Sequence, residues 1–166
     1  MRRALGQFAA LLAAAALLGQ PVAAQSLRFQ TDAAAPIDLV ADKLVWQQEN
    51  GRADLTGAAR ISQGAVTLYA NFMQITLAAD GTAQSLKALG DVVMSDGTQT
   101  ARAMQADYDV QQDVMLLSGQ VVVSQAATNN QKAGMLSGAT LRLNMADGRA
   151  QLSGGSKSRA RIQLSQ

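Results

Sequence analysis

The side chains that most often carry covalent or metal chemistry are nearly missing from this chain. It has no histidine, no cysteine and a single glutamate, Glu49. Ser-His-Asp and Cys-His nucleophile arrangements therefore cannot be assembled, and neither can a His/Cys zinc site. Asp107 and Asp109 are spaced to share one side of a strand, which would suit a carboxylate pair; a solvated face explains them more simply. Gly154-Gly155 lacks the following helix and lysine of a phosphate-binding loop. An enzyme is not expected, and no cofactor or metal is implied. The chain is rich instead in apolar residues at alternating positions, and the elements that carry them repeat.

Two series of small residues mark the repeat. One is Ala41, Ala70, Ala103 and Gly138; the other is Gly57, Gly90, Gly119 and Gly154, with a period of 29 to 35 residues. After each member of the first series comes a pair at +3 and +5: Leu44 and Trp46, Met73 and Ile75, Ala106 and Tyr108, Leu141 and Leu143. Turn signals separate the two series: Asn50-Gly51, Asp80-Gly81, Gln112-Asp113 and Asp147-Gly148. Self-similarity of this kind means stacked copies of one supersecondary unit, none of which can bury its apolar face alone.

Each unit alternates with period 2, the signature of a strand with one buried face. Leu55, Gly57, Ala59 and Ile61 share a parity, as do Leu86, Ala88, Gly90, Val92 and Met94, and Met115, Leu117, Gly119, Val121 and Val123. This puts the repeated glycines on the inward face, where Gly90→Trp is expected to block the interior. In the first half of each unit the phase slips. Ile37 and Leu39 give way to Leu44 and Trp46, and Leu68 and Ala70 to Met73 and Ile75. A slip at the same place twice predicts a bulge or corner. Four bent hairpins follow, with eight long strands, each open to being broken in two. The predicted architecture is all-β: two antiparallel sheets facing one another, open at both ends.

Residues 1–24 read as a secretory signal, with Arg2 and Arg3, an apolar run over 4–18 and small residues before Gln25. Residues 25–166 then form a single exported domain. Without Arg2 and Arg3, Lys+Arg falls from 14 to 12, against 12 Asp+Glu, so no basic field for nucleic acid remains. Without cysteine, such a domain must be held by burial and backbone pairing.

These residues resemble the OstA/LptA family of periplasmic lipopolysaccharide-transport proteins. The family pattern is carried by Pro36-Ile37-Asp38-Leu39-Val40-Ala41-Asp42-Lys43-Leu44, by Gly57-Ala58-Ala59-Arg60-Ile61-Ser62-Gln63-Gly64 and by Leu68-Tyr69-Ala70-Asn71, with echoes at Gly90-Asp91-Val92, Tyr108-Asp109 and Gly119-Gln120-Val121. Ala58-Ala59 stands where the family has Asn-Val, Asn71 where it has Asp, and the third hairpin lacks its glycine. The resemblance implies an open-ended β-jellyroll in the periplasm that carries lipopolysaccharide from inner to outer membrane. It also implies head-to-tail stacking with related jellyrolls through edge strands, and as partners an LptC-like inner-membrane protein and an LptD-like outer-membrane protein.

The composition suits that task. Sheltering one ~12-carbon acyl chain from water involves on the order of 10 kcal/mol, so a carrier needs a continuous apolar lining. The candidates on the interior face are Ile37, Leu39, Leu44, Leu55 and Ile61 from the first unit, then Leu68, Met73, Ile75, Leu86, Val92 and Met94. Met115, Leu117, Val121, Val123, Leu141 and Leu143 complete them. Any of these could equally be core. Trp46 and Tyr108 are expected at a corner or slot rim. The tail alternates Lys157, Arg159 and Arg161 with Ser158, Ala160, Ile162 and Leu164, which reads as a terminal strand with its cations outward, either a protected edge or a strand-addition surface. Two other readings stay open: a membrane-anchored LptC-like subunit with an uncleaved N-terminus, and a structural or protein-binding β-module with a filled core.

Overall fold

A computed structural model describes residues 27–29, 31–32, 34–128, 133–155 and 159–164. The expected signal segment and its cleavage site lie outside them. Among the described residues the alternating runs form ten strands: β1 (Ile37–Val40), β2 (Lys43–Gln47), β3 (Arg52–Gln63), β4 (Val66–Leu77), β5 (Ala83–Ser95), β6 (Gln99–Asp109), β7 (Val114–Gln125), β8 (Gly134–Asn144), β9 (Ala150–Ser153) and β10 (Arg161–Leu164). All pairings are antiparallel, and β3 to β8 follow one another as a meander.

The two expected sheets are two halves of one hydrogen-bonded sheet. Strands β3 to β8, each 11 to 13 residues long, run unbroken through both halves. Only the edges are split. One half of β3 pairs with β1 and the other with β2, and β8 is shared in the same way between β10 and β9. Ten strands thus replace the eight long or sixteen short ones that the repeat allowed. Buried side chains from both halves, such as Leu55 and Ala59 or Leu68 and Met73, belong to one cluster. A side chain on a two-faced sheet loses its solvent only if something covers it, so the halves face each other as two layers.

The bend has a repeated local cause. The ladder between β3 and β4 skips between Thr56 and Ala59, and equivalent skips follow Leu89 in β5 and Ser118 in β7. At each skip a glycine and its successor both turn left-handed: Gly57 (φ 76°) with Ala58 (43°), Gly90 (76°) with Asp91 (49°), and Gly119 (81°) with Gln120 (50°). Extra residues in this conformation turn the strand without ending it. The facing strands β4 and β6 carry the phase slip at the same level.

The glycines do not point inward as the parity implied. A Cβ at Gly57 would strike the Asp42 carboxylate, one at Gly90 would lie 2.9 Å from Asn71 Nδ2, and one at Gly119 would lie 2.8 Å from Met104 Cβ. Asp42, Asn71 and Met104 are exposed, so these directions lead outside the corner. The two sequence series meet here, because each of those residues follows Ala41, Ala70 or Ala103. Gly90→Trp would therefore disrupt a corner, not block the interior. The last members differ: Gly154 lies beyond the end of β9, and a Cβ on Gly138 would sit 2.7 Å from the Ser153 carbonyl. In the third hairpin, which lacks glycine, Asp113 itself takes the left-handed place (φ 53°).

Gly119→Ala is expected to lower stability by ~1–3 kcal/mol in urea unfolding, since it adds a Met104 clash to backbone strain. Gly97→Ala, with the same sign of φ and open space around it, should lose less, about 1 kcal/mol. Ala58→Asn should raise stability by roughly 0.5 kcal/mol, because Asn tolerates the left-handed region better than Ala.

Candidate functional site

At the β1–β2 end the two layers part around an apolar groove of about 620 Å³, within the ~300–1,000 Å³ usual for ligand clefts. Its walls combine Ile37 and Leu39 of β1, Leu44 and Trp46 of β2, Ile61 of β3, Val66, Leu68, Ile75 and Leu77 of β4, Leu86 of β5, Tyr108 of β6 and Met115 of β7. Register explains the arrangement. Leu44 and Trp46 pair with Leu55 and Ala53, and Leu39 with Ile61, so all take the inward side. Among the described residues no further layer lies beyond the edge strands. Ile37, Leu39, Leu44 and Trp46 consequently stay 43–58% exposed although they face inward.

The seventeen interior candidates divide in two. Ile37, Leu39, Leu44, Ile61, Leu68, Ile75, Leu86 and Met115 line the groove. Leu55, Met73, Val92, Met94, Leu117, Val121, Val123, Leu141 and Leu143 are at most 1% exposed and pack against protein. Sequence alone could not make this division, because both groups have the same parity. Val66 and Met145 also belong to the interior, and each continues an alternation already visible: Val66 with Leu68 and Ala70, Met145 with Leu141 and Leu143. Phe29, fully buried, had no such signal, since it lies outside every repeat.

The groove holds little that could recognise a charged group. Among the described residues no cation lines it, and the one acid that does, Asp113, is engaged: Tyr108 Oη donates to Asp113 Oδ1 at 2.5 Å, and the backbone N of Met145 donates to the Asp113 carbonyl at 2.9 Å. Trp46 and Tyr108, at equivalent repeat positions, both line the groove, Trp46 exposed and Tyr108 half-buried. Burial raises the Tyr108 pKa well above the usual phenol value, and the hydrogen bond to Asp113 and the charges of Asp113 and Asp109 add to the shift. The chemistry available is shelter for an apolar chain.

Outside the groove the polar groups serve the fold. Arg52 Nε and Nη2 donate to Asp54 at 2.8 and 2.9 Å, which lowers the carboxyl pKa. Asp107 accepts from Gln105 and pairs with Lys87 at 3.6 Å, while Asp109 accepts from Gln112. The two aspartates thus have separate structural partners. In the tail, Arg161 lies in β10 opposite Ser137 on the outer side and Ile162 opposite the inward Leu136, as the alternation predicted; Lys157 lies outside the described residues. Among the described residues no group of acidic side chains is gathered to hold a metal, and no helix is long and apolar enough to cross a membrane.

A raised phenol pKa favours the neutral form in the fold. The stability it contributes is complete below the unfolded value of ~10 and is lost as pH rises from there through the folded value. An ultraviolet titration should show one tyrosine ionising late, and Tyr108→Phe should remove that late component. Leu117→Ala, in the packed interior, should cost ~2–5 kcal/mol.

Comparison with known proteins agrees with this architecture. The family model described as LptA/(LptD N-terminal domain) LPS transport protein matches residues 38–149, more than half of the chain. The crystal structure of LptH from Pseudomonas aeruginosa, described as the LptA-homologous periplasmic component of the lipopolysaccharide transport device, superposes with a TM-score of 0.62 at 19% identity. The match covers 80% of this chain and 95% of that one, and it supports the β-jellyroll fold. Among curated proteins no match was found. With the matched span running from β1 to the turn before β9, the chain belongs to the LptA/LptD N-terminal-domain family of lipopolysaccharide-transport proteins.

Proposed function

We propose that this chain is a periplasmic carrier whose groove takes the acyl chains of lipopolysaccharide on their way to the outer membrane. The observation that carries the reading is the inward-facing yet exposed quartet Ile37, Leu39, Leu44 and Trp46. Large apolar side chains left open on one concave surface mark a binding site. The apolar lining, with no cation among the described residues, suits the acyl portion of the lipid and leaves its phosphorylated head outside.

Residues 1–24 would direct export and be removed near Ala24-Gln25. The split edges β1/β2 and β9/β10 would add to neighbouring jellyrolls, an LptC-like protein at one end and an LptD-like protein at the other, with further copies of this chain between them. The open groove argues against a module with a filled core. An LptC-like anchored subunit would keep its N-terminus, so finding Gln25 as the first residue of the exported protein excludes it.

Leu44→Asn changes an exposed position, so stability should stay within about 0.5 kcal/mol of the parent. Lipopolysaccharide affinity should fall about tenfold or more, from loss of the apolar contact of one leucine. Equilibrium binding of purified lipopolysaccharide checks this; unchanged affinity in the folded variant would count against the groove as the binding site.

A further inference from the structure

Phe29 belongs to no strand and no repeat, yet it is fully buried among the core side chains. The segment around it bridges two rims of the folded sheet. In a meander, alternate turns lie on opposite rims. Arg28 O accepts from Gln99 Nε2 at 2.9 Å, next to the β5–β6 turn, while Arg28 Cβ lies 3.4 Å from where a Cβ on Gly148 would stand, in the β8–β9 turn. Asp32 packs beside Gly64 of the β3–β4 turn, and Thr31 lines the groove. The segment therefore leads from the open groove to a place where Phe29 closes the gap between the layers.

We propose that the space held by Phe29 is a second acyl-chain site, closed by the chain's own Leu27–Phe29 segment. The inference rests on the carrier reading and extends it along the interior. Two observations favour a removable stopper over a permanent piece of core. No strand ladder holds Leu27–Phe29; the one hydrogen bond that its departure breaks, from Gln99 Nε2 to Arg28 O, is of a kind that water replaces. What fills the gap is one phenyl ring, an apolar body that an acyl chain can replace. Lipid and Phe29 would then compete for one volume, and the interior behind the segment opens only when the segment leaves.

The chain has no cysteine, so a reversible lock is clean. Arg28→Cys with Gly148→Cys places two Cβ atoms near the ~3.5–4.5 Å spacing of a disulfide. In this background a benzophenone photocrosslinker is placed at Ile61, in the groove, or at Val123, which is fully buried and pairs with Leu136 beside Leu27 and Arg28, and purified lipopolysaccharide is the probe. The oxidised protein should crosslink at Ile61 and not at Val123, and reduction of the same sample should restore the Val123 adduct. Phe29→Ala in the cysteine-free chain should raise that adduct several-fold. If Ile61 crosslinks while Val123 gives the same adduct locked and reduced, or none in either state, the second site is wrong and the carrier reading stands. No adduct at Ile61 in the reduced protein would overturn the carrier reading, and this proposal with it.

Discussion

A sheet with one apolar face must cover that face, and here the same sheet does so by folding onto itself. Burial of Leu55, Met73, Met94, Leu117, Leu141 and Leu143 holds the two halves together without a disulfide or a metal among the described residues. The covering is incomplete. At the β1–β2 end the edge strands are short and, among the described residues, no layer lies beyond them, so the apolar face stays exposed there. The fold and the groove thus express one property, an inner surface more extensive than the chain's own side chains close over.

Folding a sheet without cutting its ladders requires a corner. Three strands make theirs with a left-handed glycine and a left-handed successor, and a side chain from β4, from β6 or, at Gly57, from the break between β1 and β2 lies against the bare Cα. Hydrogen bonding therefore stays continuous from one layer to the other. The edges lack a partner on one side and can break at the corner, which is why β1/β2 and β9/β10 are separate. Split, half-open edges are also where the groove is exposed, so the corner geometry sets both the shape and the opening.

Much of this was visible in the sequence, because period-2 alternation and the spacing of small residues report directly on which side chains share a face. The interior candidates, the hairpin turns and the phase slip at Ala70 and Met73 came from that pattern. Other features are set by geometry that parity does not encode. The direction of the missing Cβ at Gly90 depends on φ, so a glycine with inward parity looks outward. Leu44 and Leu117 have the same pattern and opposite fates, since exposure depends on what lies across the fold. Phe29 has no periodic neighbours, and only the tertiary structure places it inside. The alternation also cannot distinguish two sheets from one bent sheet, because the corner preserves parity in β3, β5 and β7.

Acyl-chain binding in the groove at the β1–β2 end, as proposed above, is open to direct observation through intermolecular nuclear Overhauser effects between lipid acyl protons and assigned methyl groups. Contacts are expected to Ile37, Leu39, Leu44, Ile61 and Ile75, and none to Val45, Leu116 or Met135 on the outer face. Contacts only to the outer-face methyls, or a groove whose methyls touch nothing but one another in the presence of saturating lipid, would contradict it.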